Sequence, residues 1–279
     1  MLRLPLIATA PLLLLAACAS TPEPIGEPRK ETVFAVTDGA ELIKFNAGQP
    51  QRILERKPLQ GLDAGDKLLG IDFRVARGVL FALSASGKLY TVDTASARLT
   101  QVGTQAQTLA PGRWEIDFNP VADRVRVVAD HGANLRLHPD TGALAATDPA
   151  LAYATGDAAA GKTPQVAAAA YTYNKANDKL TTNYAIDLGL GTLVTQGSKE
   201  GVEPVVSPNT GRLFTVGALG AGPLEAAAFD IADVDNAALA ALRTGGRTRL
   251  HLIDLATGKA TAIGTVGDGR ALWGMAIEP

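Results

Sequence analysis

Apolar residues in this chain fall in short runs of four to six, separated by Gly, Asp, Asn and Pro, and the runs recur. Shifting the sequence by 45 places Gly70-Ile71-Asp72-Phe73 onto Glu115-Ile116-Asp117-Phe118, Leu80-Phe81-Ala82-Leu83 onto Val125-Arg126-Val127-Val128, and Leu99 onto Leu144. Runs of this length bounded by turn formers read as strands, and a period of this size reads as a repeat architecture. Each unit contains a first apolar strand, a turn, a second strand, a Gly-containing turn such as that at Gly87 or Gly132, a third strand such as Leu89-Tyr90-Thr91-Val92, and a closing strand. Less regular copies begin near Tyr171 and Phe229. Only the Ala run from Val166 to Ala170 leaves a helix open.

The two ends of the pattern fit together. Val33 to Val36 and Leu42 to Phe45 match the second and third strands of a unit that has no first strand, while Trp273 to Ile277 matches a first strand with nothing after it. Joining them in one sheet closes a ring and removes its open edges. The expected fold is therefore all-β: a β-propeller-like ring of about five four-stranded blades, closed by pairing of the N- and C-terminal strands. A six-blade count would split Ala170 to Gly220, where Val202 to Val216 holds an additional hairpin-like segment.

The N-terminus has a different character. Arg3 precedes an apolar run that ends in Leu15-Ala16-Ala17-Cys18. The run is too short for a membrane-spanning helix, which needs about 20 residues, and reads as a signal peptide. Its last four residues resemble the bacterial lipobox, which implies cleavage before Cys18 and acylation of its thiol by chains such as palmitate. Ala19 stands where inner-membrane lipoproteins typically carry Asp, so the same resemblance implies an outer-membrane anchor facing the periplasm. The expected organisation is a signal peptide over 1–17, a lipidated Cys and Pro-rich tether over 18–31, and the propeller-like domain over 32–279.

Composition narrows the functions. The chain of 279 residues carries 26 Lys and Arg against 28 Asp and Glu, a balance without the basic excess that nucleic acid requires. Its single Cys excludes internal disulfides and thiolate metal sites. Gly156-Asp-Ala-Ala-Ala-Gly161-Lys162-Thr163 matches the phosphate-loop pattern by letter. That motif requires a parallel strand leading into a helix N-terminus. In antiparallel repeats of an exported protein no nucleotide partner is expected.

Several central strings are distinctive: Gly70 to Arg74, Ile116 to Pro120, Asp123 to Asp130, Asn134 to Arg136, Pro139 to Gly142 and Leu151 to Asp157. They resemble a bacterial family of exported, lipid-anchored repeat proteins known only as a domain of unknown function. The resemblance supports export and repeated strands, and implies no activity or catalytic residues.

Three groups of residues carry candidate chemistry. Asp72, Asp117 and Asp230 recur in the first strand of three units, with Thr172 and Ala276 aligned to them in the others. They are either hydrogen bonders that cap the neighbouring blade or a ring of carboxylates able to hold Ca²⁺ in the channel. Arg126, Asp130, His131, Asn134 and Arg136 form the densest polar cluster. Arg126 replaces an apolar position, Phe81, and needs a partner that Asp130 or Glu115 would supply. This cluster is either an inter-blade salt bridge or a ligand site. Tyr153 and Asp157 lie in the long connector from Asp148 to Gln165, which either lines a site at one end of the ring or covers a blade edge.

The function expected from these features is binding or interaction by a lipid-anchored envelope protein, with an unknown envelope ligand or protein as partner and more in favour of a non-enzyme. One alternative is a hydrolase or lyase acting on an envelope glycan through channel-mouth carboxylates. Another is a purely structural envelope protein.

Overall fold

The computed structural model describes residues 23–38 and 40–279, so Cys18 and the signal sequence lie outside the described residues. The described residues form 21 strands. Blade 1 combines β1 (Thr32–Thr37), β2 (Glu41–Asn46) and β3 (Ile53–Pro58) with the last strand of the chain. Blade 2 comprises β4 (Leu68–Arg74), β5 (Val79–Ser84), β6 (Lys88–Asp93) and β7 (Arg98–Ala106). Blade 3 follows with β8 (Trp114–Asn119), β9 (Arg124–Ala129), β10 (Asn134–Leu137) and β11 (Leu144–Thr147). A short strand, β12 (Ala152–Tyr153), precedes blade 4, which holds β13 (Val166–Tyr171), β14 (Asn183–Asp187), β15 (Thr192–Gln196) and β16 (Arg212–Ala218). Blade 5 has β17 (Ala226–Ile231), β18 (Ala238–Thr244), β19 (Arg247–Ile253) and β20 (Ala260–Thr265). β21 (Leu272–Ile277) pairs antiparallel with β1, Phe34 opposite Ala276. The protein is thus a five-bladed β-propeller closed by its two chain ends.

Burial grades outward along each blade, and the sequence follows it. The innermost strands β4 and β13 are buried at every position, and their residues are apolar or small apart from Asp72 and Arg74. The outermost strand β3, with the sequence Ile-Leu-Glu-Arg-Lys-Pro, is mostly exposed, which keeps a free edge charged. The Ala run Val166 to Ala170 forms β13 because its side chains lie against blades on both sides, where Ala permits close approach of the sheets. The segment Val202 to Val216 ends in β16, the fourth strand of blade 4, so no sixth blade forms. The connector before β13 places β12 parallel to β16, Ala152 opposite Arg212, and covers the outer edge of that blade.

The Pro-rich stretch expected as a free tether is held against the domain over its described part. Glu23 accepts from Arg249 Nη2 at 2.9 Å and from the Thr265 N–H at 2.8 Å. Gln49 donates to the Gly26 carbonyl, and Lys30 pairs with Asp235. Prolines remove competing donors while leaving carbonyls and flanking charges to bond the domain, so the stretch follows the junction of blades 5 and 1. Among the described residues, no helix is long and apolar enough to cross a membrane.

Candidate functional site: the central channel and its mouth

The five innermost strands β21, β4, β8, β13 and β17 surround the axis. We call the face where they begin the upper face and the face where they end the lower. Asp72 Oδ2 accepts from the Phe118 N–H of the next blade at 2.7 Å, Asp117 Oδ1 from Tyr171 N–H at 3.0 Å, and Asp230 Oδ2 from Ile277 N–H at 2.6 Å. This register shows that Ala170, and not Thr172, occupies the aspartate position of blade 4. Ala276 occupies it in blade 1. Next to the Ala of blade 4, Asp230 also bonds its own neighbour, its Oδ1 taking the Ile231 N–H at 2.6 Å. Three aspartates thereby satisfy the equivalent N–H of four of the five blades.

The same side chains crowd one another. One carboxylate oxygen from each of Asp72, Asp117 and Asp230 lies within 4.8 Å of the others, and all three residues are buried. Burial first, and the neighbouring aspartates second, push Asp72 and Asp117 well above the usual carboxylate range. Burial pushes Asp230 up to about 7. A shared cation and shared protons would each relieve this repulsion. Asp230, however, already commits both oxygens to strand N–H groups. Carboxylates held this way act as blade-to-blade caps.

Two residues upstream of each aspartate position the sequence reads Gly70, Glu115, Ala168, Ala228 and Gly274. Four are small and one is a carboxylate. A Cβ on Gly70 would collide with Glu115 Oε1, so Gly70 makes room for this side chain in the channel. Glu115 accepts from the Ile116 N–H at 3.2 Å, and burial, followed by the charges of Asp72 and Asp230, pushes its carboxyl well up. It forms the floor of a cavity of about 280 Å³ at the upper mouth.

All five blades contribute to that cavity: Lys67 and Leu69, Arg113 and Trp114, Ala167, Ala227, and Trp273. The two tryptophans are the only ones in the chain. The register places Leu69, Trp114, Ala167, Ala227 and Trp273 at equivalent positions, bulky in blades 1 to 3 and minimal in blades 4 and 5, so the mouth opens asymmetrically. Lys67 Nζ lies 4.2 Å from the centre of the Trp273 ring, a cation–π contact. Among the described residues, neither Lys67 nor Arg113 has a carboxylate within salt-bridge distance. Asp130 and His131 stand at the rim, 3.5 Å apart, with the His131 ring edge-on to Trp114. Gly112 permits this, because a Cβ there would fall 2.7 Å from Asp130 Oδ1.

The polar cluster read from the sequence therefore divides. Asp130 and His131 reach the upper mouth. Arg126, Asn134 and Arg136 turn toward blade 4, and the Arg126 partner is Asp148, at 3.2 Å, in place of Asp130 or Glu115. Arg126 stands opposite Asp117 in the register and shares its face of the sheet, which points at blade 4. Its other acceptors are Tyr171 Oη at 2.6 Å, Asn134 Oδ1 at 2.5 Å and Asn209 Oδ1 at 2.6 Å. Arg136 forms a two-point pair with Asp148. Tyr153 donates to Asp187 at 2.6 Å, and Asp157 accepts from the Thr215 N–H and hydroxyl, so both fasten the connector to blade 4. The Gly156 to Thr163 stretch forms turns and leads into antiparallel β13 with no helix after it.

Sequence reasoning passed over Lys67, Arg113, Trp114 and Trp273, and used Glu115 only as a partner for Arg126. A signal was present: one charged residue in a register otherwise filled by Gly and Ala. The tryptophans give no such signal until the ring is closed, because they lie far apart in the chain.

A closed ring of five four-stranded blades with a polar axis and an open upper mouth defines a five-bladed β-propeller. The chain belongs to the family described as "Domain of unknown function (DUF4394)", whose profile matches residues 41–276. No curated protein matches it. Among solved structures it is similar to a Bacteroides thetaiotaomicron structural-genomics protein of unknown function, at 12% identity and a TM-score of 0.50 over 82% of this chain and 56% of that one. It is also similar to a chain of a nidogen/laminin complex, at 11% identity and a TM-score of 0.49 over 89% and 98%. A third, Myxococcus xanthus glutaminyl cyclase, is 11% identical with a TM-score of 0.46 over 83% and 100%. At these identities the likeness is one of fold.

Proposed function

We propose that this protein is a lipid-anchored binding protein of the bacterial envelope whose upper channel mouth takes a small ligand with an anionic group and a ring or apolar face. The observation that carries the reading is the convergence of all five blades on one cavity holding both tryptophans and two cations without carboxylate partners. Loops and strand ends from several blades meeting on an axis are the usual setting for a ligand site. Lys67 and Arg113 would pair the anion, the Trp rings would pack its ring, and the Glu115 carboxyl would hydrogen-bond a ligand hydroxyl at the floor. The location rests on the Leu15 to Cys18 lipobox resemblance.

Because both tryptophans line the mouth, their fluorescence reports directly on it. Titration with glucuronate, glucose, benzoate and succinate is expected to change the emission for the anionic ring compounds, and the change should vanish in Lys67→Glu. Unchanged emission with every anion, or equal responses to glucose and glucuronate, would overturn the ligand reading. Mass spectrometry of protein extracted from membranes tests the anchor separately: an acylated N-terminal Cys18 is expected, and a mature N-terminus elsewhere removes it.

A further inference from the structure

The lower face carries a second concavity, remote from the Trp-lined mouth. The β8–β9 turn, the β13–β14 loop and the β15–β16 loop enclose a groove of about 310 Å³ between blades 3 and 4, with the Arg126 guanidinium and the Tyr171 side chain at its base. Arg126 is 2% exposed and fixed by Asn209 from the opposite wall, so the base is rigid before anything binds.

Charge in this groove departs from that of the chain, whose formal net charge is −2. Arg124, Arg126, Arg136, Lys179 and Lys199 line it against a single lining acid, Glu200. Asp148, below the lining, neutralises Arg126 and Arg136 in part. Glu200 is occupied by the Thr172 hydroxyl and the Asn174 amide. Arg124 bonds only backbone carbonyls, and Lys199 reaches the Leu255 carbonyl at 3.3 Å. Among the described residues, no carboxylate lies within salt-bridge distance of Arg124, Lys179 or Lys199. The rim adds apolar surface: Val121 and Leu180 are each 41% exposed and Val205 is 72% exposed.

We infer that this groove is a docking site for an acidic peptide segment of a partner protein that also carries an apolar side chain. A cationic wall selects acidic groups and rejects basic ones. The exposed Val and Leu side chains give an apolar residue a place to lose water, which a free anion would not use. An extended peptide supplies both chemistries at alternating positions.

The test uses the mature chain and a fluorescein-labelled, end-blocked Glu-Leu-Glu-Leu-Glu peptide, followed by anisotropy. Binding that weakens with salt is expected. The Lys179→Glu/Lys199→Glu double variant, altered only at the surface, should bind about tenfold more weakly and accept the matched Lys-Leu peptide in its place. Val205→Ser should weaken binding a few-fold, and Lys67→Glu at the other face should leave it unchanged. Binding of the Lys-Leu peptide by the unaltered protein, indifference to replacement of Leu by Ser, no binding up to millimolar peptide, or capture of dodecanoate in preference to the peptide would each overturn the inference.

Discussion

Blades 2 and 3 meet through hydrocarbon, whereas blades 3 and 4 meet around a guanidinium. At the first interface Phe81, Leu83 and Leu89 pack on Ile116, Phe118 and Val125, with Phe81 and Phe118 edge to face at 5.0 Å. At the second, the positions equivalent to Phe81 and Leu89 are Arg126 and Asn134, and the contact is a network with Asp148, Tyr171, Gln196 and Asn209. The repeat fixes where a side chain points but leaves the chemistry of the contact free. What makes the polar version tolerable is the bonding of Asn134, whose Oδ1 accepts from both Arg126 and Gln196 and whose amide donates to the Pro149 carbonyl. The apolar version gains stability from buried area; the polar one mainly fixes which surfaces fit each other.

The most disruptive exchange is the transplant of one chemistry into the other setting. Phe81→Arg would bury a cation with Leu89 and Phe118 around it, without the Asn, Tyr and Asp148 acceptors that hold Arg126, and should cost several kcal/mol, on the order of 3–5. Urea denaturation should show loss of the cooperative transition or a large fall in its midpoint. Removing the charge from its own setting comes next. Arg126→Met would strand Tyr171, Asn134 and Asn209 beside a partly filled space, at about 3–5 kcal/mol. Arg126→Phe combined with Asn134→Leu restores the blade 2 pair, and the double variant should recover about 0.5–3 kcal/mol relative to the sum of the single losses. Strict additivity in that double-mutant cycle would show that the two side chains do not form one unit.

Which parts of this contrast could be read in the sequence depends on how local their cause is. Strand runs, the 45-residue spacing and the complementary chain ends are local or periodic features, and they yielded the ring, its five blades and the closure by β1 and β21. Arg126 at a Phe81 position was visible as an anomaly for the same reason. Its partner was not, because Asp148 lies in an irregular connection whose course no periodicity dictates. The aspartate position of blade 4 was misaligned by two residues because Tyr171-Thr172-Tyr173 offers a polar residue between aromatics, as Ile-Asp-Phe does. Only the N–H donated by Tyr171 identifies Ala170. The upper mouth was least legible, since Lys67, Arg113 and Trp273 meet only after the ring closes.

The two interfaces are alike at their inner edge. Asp72 accepts the Phe118 N–H across blades 2 and 3, as Asp117 accepts that of Tyr171 across blades 3 and 4. Both carboxyls are raised by burial first and by neighbouring acids second, and Asp230 is pushed up to about 7. A carboxyl whose folded pKa exceeds its unfolded value contributes stability that is complete below about pH 4 and is lost as pH rises through the folded value. Thermal midpoints should therefore fall between roughly pH 5 and pH 8. Asp117→Asn keeps the acceptor for Tyr171 while removing one charge from the cluster. It should flatten this slope and gain a few degrees at pH 8. Asp72→Asn likewise keeps the acceptor for Phe118 and should flatten the slope in the same way. Opposite behaviour of the two variants would mean that the two carboxyls are not equivalent members of one cluster.

The smallest effect expected lies at the lower end of the apolar interface. There Arg74, 6% exposed, pairs with Asp123 and with Asp140 at 2.6 Å. The Arg74 guanidinium is the chief reason that the Asp140 carboxyl lies below its usual range. A depressed carboxyl contributes stability above its unfolded pKa near 4, and this is lost as pH falls through the folded value. The direction is opposite to that of the channel acids. Asp140 is itself mostly exposed, its side chain at 57%, so solvent screens the pair, and Asp123 continues to hold Arg74 when Asp140 is replaced. Asp140→Asn should therefore lower the thermal midpoint only slightly at pH 7 and not measurably at pH 3, with the difference shrinking in high salt. Loss comparable to that of Arg126→Met would place a buried ion network at the blade 2–3 interface as well, and the contrast between hydrocarbon and guanidinium contacts would then fail at the position where it is easiest to measure.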